Sequence, residues 1–339
     1  MESPVLQTVV LGSQWPTLDP FLFCAHHLDL FPAGDDRHGP AASLEGRKIG
    51  QDFAGKDGWN MYHGSSVPGF PQHPHRGFET ISVVRKGLMD HSDSLGATAR
   101  FGAGDVQWMT AGVGIVHCEM FPLLNRDGGN TLEMFQVWLN LPRRSKMVDP
   151  YFTMLWSEDV PRVEASGVEI TISAGRLGDA VPPPPPPDSW ASEADSDVAV
   201  WHLRFQPDGH VVLPPATHPT TNRVLYIYRG AGLSVGGRSM ASRIGVVLKS
   251  DEPIEVTGLV GGETECIMLQ GRPIGEPVAQ YGPFVMNDRA GIDQAFSDYQ
   301  RTGFGGWPWP TDDPVHGSDP RRFARHVDGR VEDPAGQPA

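Results

Sequence analysis

Two short stretches of this sequence alternate metal-ligating side chains with other residues: His73-Pro74-His75 and His117-Cys118-Glu119. On a β-strand, side chains two residues apart point to the same face. His73 and His75 would then face one way together, and so would His117 and Glu119. Three imidazoles and one carboxylate, brought together from two strands, make a site for a first-row transition metal. One His-x-His among the 13 histidines of the chain would carry little weight. The second pair has the same spacing and also adjoins a glycine-rich turn, which raises the signal well above a single motif.

The donor set narrows the ion. Neutral imidazole suits Fe, Zn, Cu and Ni, and a carboxylate adds harder character. Closed structural zinc sites usually contain cysteine. Cys118 lies between two expected ligands on an alternating strand, so it points to the opposite face and is read as packed. Three His and one Glu leave two octahedral positions open, as an oxygen-activating or Lewis-acid metal requires. One divalent transition metal is expected, Fe(II) first, with Mn, Ni, Co, Cu or Zn compatible. Glu79 shares parity with His73 and His75. It is read as an outer acceptor for a ligand N–H, with a fifth-ligand role as the alternative. Trp108, Met109, Met134 and Trp138 are candidates to line a pocket above the metal, although such residues more often fill a core.

The elements that must hold these side chains are short strands. Residues 78–84, 97–101, 106–110, 115–120 and 131–139 are rich in β-branched and aromatic residues and are separated by turn signals. Residues 90–96 read as a turn cluster. A second block repeats the texture at 198–205, 223–228, 245–248, 254–257 and 263–269. Strands and turns at this spacing indicate antiparallel sandwiches or barrels, and two blocks suggest a duplicated barrel. The six prolines at 182–187 lie between the blocks and read as a stiff extended loop. One helix is expected, at 289–301, with Ile292, Ala295, Phe296 and Tyr299 on one face. Beyond residue 303 the sequence reads as an extended or disordered tail.

Bulk properties exclude several functions. The chain has 339 residues, with 41 acidic against 27 basic side chains and a net charge of −14. A direct nucleic-acid binder needs clustered Lys and Arg, which are absent here. No apolar run reaches the roughly 20 residues of a membrane helix. Cys24, Cys118 and Cys266 are too few and too scattered for a disulfide framework. The amino terminus shows no secretory pattern. A cytoplasmic setting is expected.

Longer strings carry a resemblance. HPHRGFET at 73–80, GDVQWMTAGVGIVHCEM at 104–120, QVWLNLP at 136–142 and GPFVMN at 282–287 resemble the pirin family of the cupin superfamily. The likeness spans about 18–303. It implies an all-β bicupin, that is, two stacked antiparallel β-barrels of jelly-roll type with a short C-terminal helix. An N-terminal metal-binding domain would cover 1–148. A C-terminal domain without metal would cover 149–302, including the proline loop at 181–188, and a tail would cover 303–339. Carried over residue by residue, the family's ligands fall on His73, His75, His117 and Glu119. In the second barrel the nearest match to a ligand strand, at 218–222, has one histidine only. The stretch 26–67 is longer than in a minimal pirin and is a candidate cap over the barrel mouth.

The activity implied is that of a dioxygenase opening a flavonol such as quercetin with O2. Glu119 would be the general base that takes the flavonol hydroxyl proton. The alternative implied by the same resemblance is a non-enzymatic, metal- or redox-responsive regulator that binds a protein partner.

Overall fold

The computed structural model describes residues 3–335. They pack as two compact units that interleave along the chain: one takes residues up to 25, 137–142 and 159–275, the other 26–136, 143–158 and 276 onward. The limits at 25/26 and 136/137 fall inside two long strands, Phe21–Phe31 and Asn130–Asn140.

The unit containing 159–275 has a seven-stranded antiparallel sheet. Its order is Val5–Val10, Ile244–Leu248, Asn222–Gly230, Thr264–Gly271, Ala199–Phe205, Val168–Ala174 and Arg162–Ala165. A four-stranded sheet holds His210–Leu213, Ile254–Gly258, Leu233–Val235 and Arg238–Met240. Both sheets send apolar residues into one core. Ala199, Trp201, Leu203 and Phe205 alternate into it from one strand, and Leu233, Val235 and Val256 meet them from the other sheet. Burying each large side chain of this kind contributes about 1.5–3 kcal/mol.

The other unit has the same two-sheet plan. One sheet has the order Tyr151–Leu155, Asp105–Thr110, Phe78–Lys86, Asn130–Asn140 and Phe21–Phe31. The second has the order Val331–Glu332, Phe323–Arg325, Thr98–Gly102, Leu88–Asp93, Ile115–Met120 and Gly69–His75. Met109, Met134 and Val84 from the first sheet pack against Met89, Phe101 and Ile115 from the second. Met109 and Met134 are therefore core residues. One α-helix is present among the described residues, Arg289–Thr302. The Asp288 side chain caps it by accepting from Gly291 N–H at 2.9 Å, and Gly303 ends it in the left-handed conformation. No helix among the described residues is long and apolar enough to cross a membrane.

Three segments differ from, or add to, the sequence reading. Residues 90–93, expected within a turn cluster at 90–96, instead belong to the strand Leu88–Asp93, in which Asp90, His91, Ser92 and Asp93 are all buried. Polar side chains can lie there because they have partners. Arg100 grips the Asp90 carboxylate with two 2.7 Å bonds, and Asp93 Oδ1 accepts from Leu95 N–H and Ala97 N–H. The stretch 26–67 is built into the core through Trp59, Met61 and Tyr62. It also buries Arg47, stacked 3.3 Å over the Trp59 ring and paired with Asp52 at 2.9 Å. The tail folds back: Phe323–Arg325 pairs with Thr98–Gly102, and Val315 packs beside Cys118. The prolines at 182–187 have no regular secondary structure.

Candidate metal centre

The strand Gly69–His75 opens with close backbone packing. A Cβ on Gly69 would fall 2.5 Å from the Glu119 carbonyl oxygen, and its φ of +138° suits glycine alone. Pairing with Ile115–Met120 then matches Phe70 to Glu119 and His73 to His117. Pro71 and Gln72 thus lie opposite the single residue Cys118, which is a bulge. Pro71, which cannot donate to the ladder, lies inside it. The bulge sets His73 directly across from His117, and alternation adds His75.

These three imidazoles converge. One nitrogen from each of His73, His75 and His117 lies within 4.8 Å of the other two, a group able to hold a metal ion. Ring centroids are 4.4 Å apart for His73 and His117, 4.8 Å for His73 and His75, and 5.0 Å for His75 and His117. His75 and His117 are buried and His73 is half-buried, so the group is approached from the His73 side. Burial holds His75 and His117 well below the ordinary imidazole range, with neighbouring imidazoles adding to the effect. His73 is lowered by burial too, opposed by the Glu119 charge and by a hydrogen bond to the Pro71 carbonyl. Burial thus favours the neutral imidazole in all three, the form that ligates metals.

The hydrogen bonds choose the nitrogen. His73 Nδ1 lies 2.8 Å from the Pro71 carbonyl oxygen and donates to it, which leaves Nε2 as the lone-pair nitrogen. His117 Nε2 is buried with no hydrogen-bond partner among the described residues. A buried, unpaired acceptor is costly unless something else fills its need. Three neutral imidazoles and an orphaned Nε2 fit a divalent transition metal.

Glu119 does not join that group. Its carboxylate accepts from Ser82 Oγ at 2.9 Å and from Gln136 Nε2 at 2.9 and 3.2 Å, and is 3% exposed. It remains close enough for its charge to act on His73. Glu79, fully buried, accepts from Thr110 Oγ1 at 2.6 Å and lies outside the histidine group. Cys118 points to the other face, packed with Val67 and Met120, and burial pushes its thiol far above the usual range. Trp108 is fully buried, and Trp138 packs against Phe23 at 5.0 Å. The wall beside His73 is instead Phe70, 6.4 Å away, backed by Tyr62 at 5.0 Å and His63 at 5.9 Å. The two backing residues come from the 26–67 stretch.

Sequence reasoning also missed His91 and Asp93. His91 Nδ1 lies 3.4 Å from His117 Nδ1, and His91 Nε2 lies 3.2 Å from Asp93 Oδ2. His91 pairs with Glu119 and Asp93 with His117 across the ladder, which puts them on the ligand face. The signal was in the sequence: His91-Ser92-Asp93 is a third alternating pair with the same spacing.

Comparisons with known proteins agree with this architecture. The pirin family pattern matches residues 46–139, and the pirin C-terminal cupin domain matches 200–305. A Pseudomonas aeruginosa protein named "Putative quercetin 2,3-dioxygenase" is 39% identical over 241 residues, covering 70% of this chain and 79% of that protein. A pirin-like protein of Solanum lycopersicum is 36% identical over 249 residues, covering 71% of this chain and 79% of its own length. Among solved structures, a quercetin 2,3-dioxygenase from Acinetobacter baumannii superposes with a TM-score of 0.71 at 24% identity, over 90% of this chain and 99% of that one. An all-β bicupin fold with a histidine group able to hold a metal is what the pirin class is built on. The chain belongs to the pirin family.

Proposed function

We propose that this pirin is a mononuclear metal-dependent dioxygenase that opens the central ring of a flavonol with O2. The observation that carries this reading is the convergence of three imidazoles, one with an orphaned Nε2, beside a buried carboxylate. His73, His75 and His117 would hold the ion, with Glu119 as the fourth ligand once its carboxylate turns from Ser82. The name of the Pseudomonas relative favours quercetin as the substrate class. Fe(II) is the metal proposed, because mixed imidazole and carboxylate donors with open positions suit it. Three unbridged, buried cysteines suit a reducing compartment such as the cytoplasm.

When bound, the metal supplies Lewis acidity toward the 3-hydroxy-4-keto group and redox chemistry toward O2. The protein's own residues do the rest. Glu119 accepts the 3-hydroxyl proton on its carboxylate, a transfer worth roughly 10²–10⁴ in rate. Gln136 holds that carboxylate through the hydrogen bonds already described. Phe70, backed by the buried Tyr62, offers an apolar wall on the open, His73 side. The balance of the reaction is quercetin plus O2 giving a depside plus carbon monoxide.

Protein loaded anaerobically with Fe(II), and in parallel with Mn(II) or Ni(II), is given quercetin and air. O2 uptake matched by carbon monoxide release is expected. About one equivalent of bound metal with no O2 uptake under any of the three loadings would overturn the enzyme reading. Metal-dependent capture of a defined protein partner would then favour a regulator.

A further inference from the structure

We infer that His91 and Asp93 are positioning residues for His117: a carboxylate–imidazole–imidazole chain that fixes the ring and tautomer of one metal-facing histidine. The inference rests on His117 being a ligand, as proposed above. The chain has one consistent proton assignment. Asp93 Oδ2 can only accept, so His91 Nε2, 3.2 Å away, carries a proton and donates. His91, if neutral, then has a bare Nδ1. That nitrogen lies 3.4 Å from His117 Nδ1, which must be the donor. His117 is thereby left with a lone pair on Nε2, the same nitrogen that is buried without a partner. Outer groups of this kind raise ligand basicity and hold ring orientation.

His91 is not itself a fourth ligand in this arrangement. It faces Nδ1 of His117, and it is absent from the convergent group of three histidines. Nor is the chain free to swing. Its backbone is held by the tail: the Trp309 indole N–H donates to the Asp93 carbonyl at 2.9 Å, and His316 Nε2 lies 2.9 Å from the His91 carbonyl oxygen. The His316 backbone N–H donates to Asp90 Oδ2 at 2.8 Å. Trp309 and His316 both lie beyond residue 305, where the family match ends.

Two experiments test this. In the metal-free wild-type protein, long-range ¹H–¹⁵N correlation of the histidine rings should show His117 protonated at Nδ1. Protonation at Nε2 would overturn the proposal without any mutation. Competition between the protein and a chelator for Ni(II) then gives affinities. His91→Phe and Asp93→Ala should each weaken binding about 10–100-fold. His91→Asn, whose amide oxygen falls near the position of Nδ1, should recover part of that loss. If His91→Phe stays folded by circular dichroism and binds within about threefold of wild type, the role is merely structural and the inference fails. Equal loss in His91→Phe and His91→Asn would overturn it too. If the wild type binds no Ni(II), it is the metal-site reading that fails, and the ring correlation still judges the tautomer.

Discussion

His117 and His202 are both buried histidines on antiparallel strands, one in each unit. Around His202 the side chains form a hydrogen-bonded chain. Its Nε2 lies 2.8 Å from the Tyr228 hydroxyl, which donates to Glu265 Oε2 at 2.8 Å, and Arg229 pairs with the same carboxylate. Trp201 and Leu203 on either side of His202 enter an apolar core, so the cluster sits on the opposite face. Around His117 the alternation is reversed: Cys118 takes the packed face and the imidazole turns inward toward two more. One histidine completes a closed network. The other belongs to a convergent group of three imidazoles and keeps one nitrogen unmet. A buried histidine marks a ligand site when its hydrogen bonds do not close, not because it is buried.

The comparison can be broken most directly at His117. His117→Ala should remove the metal, taking content after anaerobic loading from about one equivalent to background by elemental analysis, with the fold retained by circular dichroism. Retained metal would mean that the orphaned Nε2 is no ligand. Next in size is Glu119→Gln, which keeps the hydrogen-bonding shape but removes the base. Flavonol-dependent O2 uptake should fall roughly 10²–10⁴-fold. An unchanged rate would take the proton transfer away from Glu119. His202→Leu addresses the closed network. It should cost about 1–3 kcal/mol in urea unfolding by leaving Tyr228 and Glu265 short of a partner, and leave metal content untouched. Loss of metal in that variant would erase the contrast between the two histidines. The smallest effect is expected at Cys118. Cys118→Ser should keep full metal content and lose on the order of 1 kcal/mol for placing a hydroxyl on an apolar face. The native thiol should react with a thiol reagent only after unfolding, since burial holds it protonated.

How far the sequence disclosed this arrangement depended on how each residue meets its environment. The His73/His75 and His117/Glu119 pairs were legible because strand parity is a rigid rule. The strands at 105–110, 115–120, 130–140 and 264–271 were legible because β-branched and aromatic runs need no partner to announce them. Residues 88–93 were not. Asp, His, Ser and Asp look like solvent-facing turn chemistry until Arg100, His117 and the tail are brought to them by the fold. The bulge at Pro71 was equally hidden, since it depends on register. Glu119 shows the limit of parity: it gave the face correctly, and Ser82 and Gln136 decide where on that face the carboxylate rests.

The folded-back tail also has a consequence for how this chain can be shortened. Phe323–Arg325 supplies the hydrogen-bonding neighbour of Thr98–Gly102, and Gly317 O accepts from the buried Arg100 guanidinium. A protein cut at residue 305, where the family match ends, would leave Thr98–Gly102 as a bare sheet edge. Bare edges recruit other chains, so the shortened protein should self-associate more than the full chain.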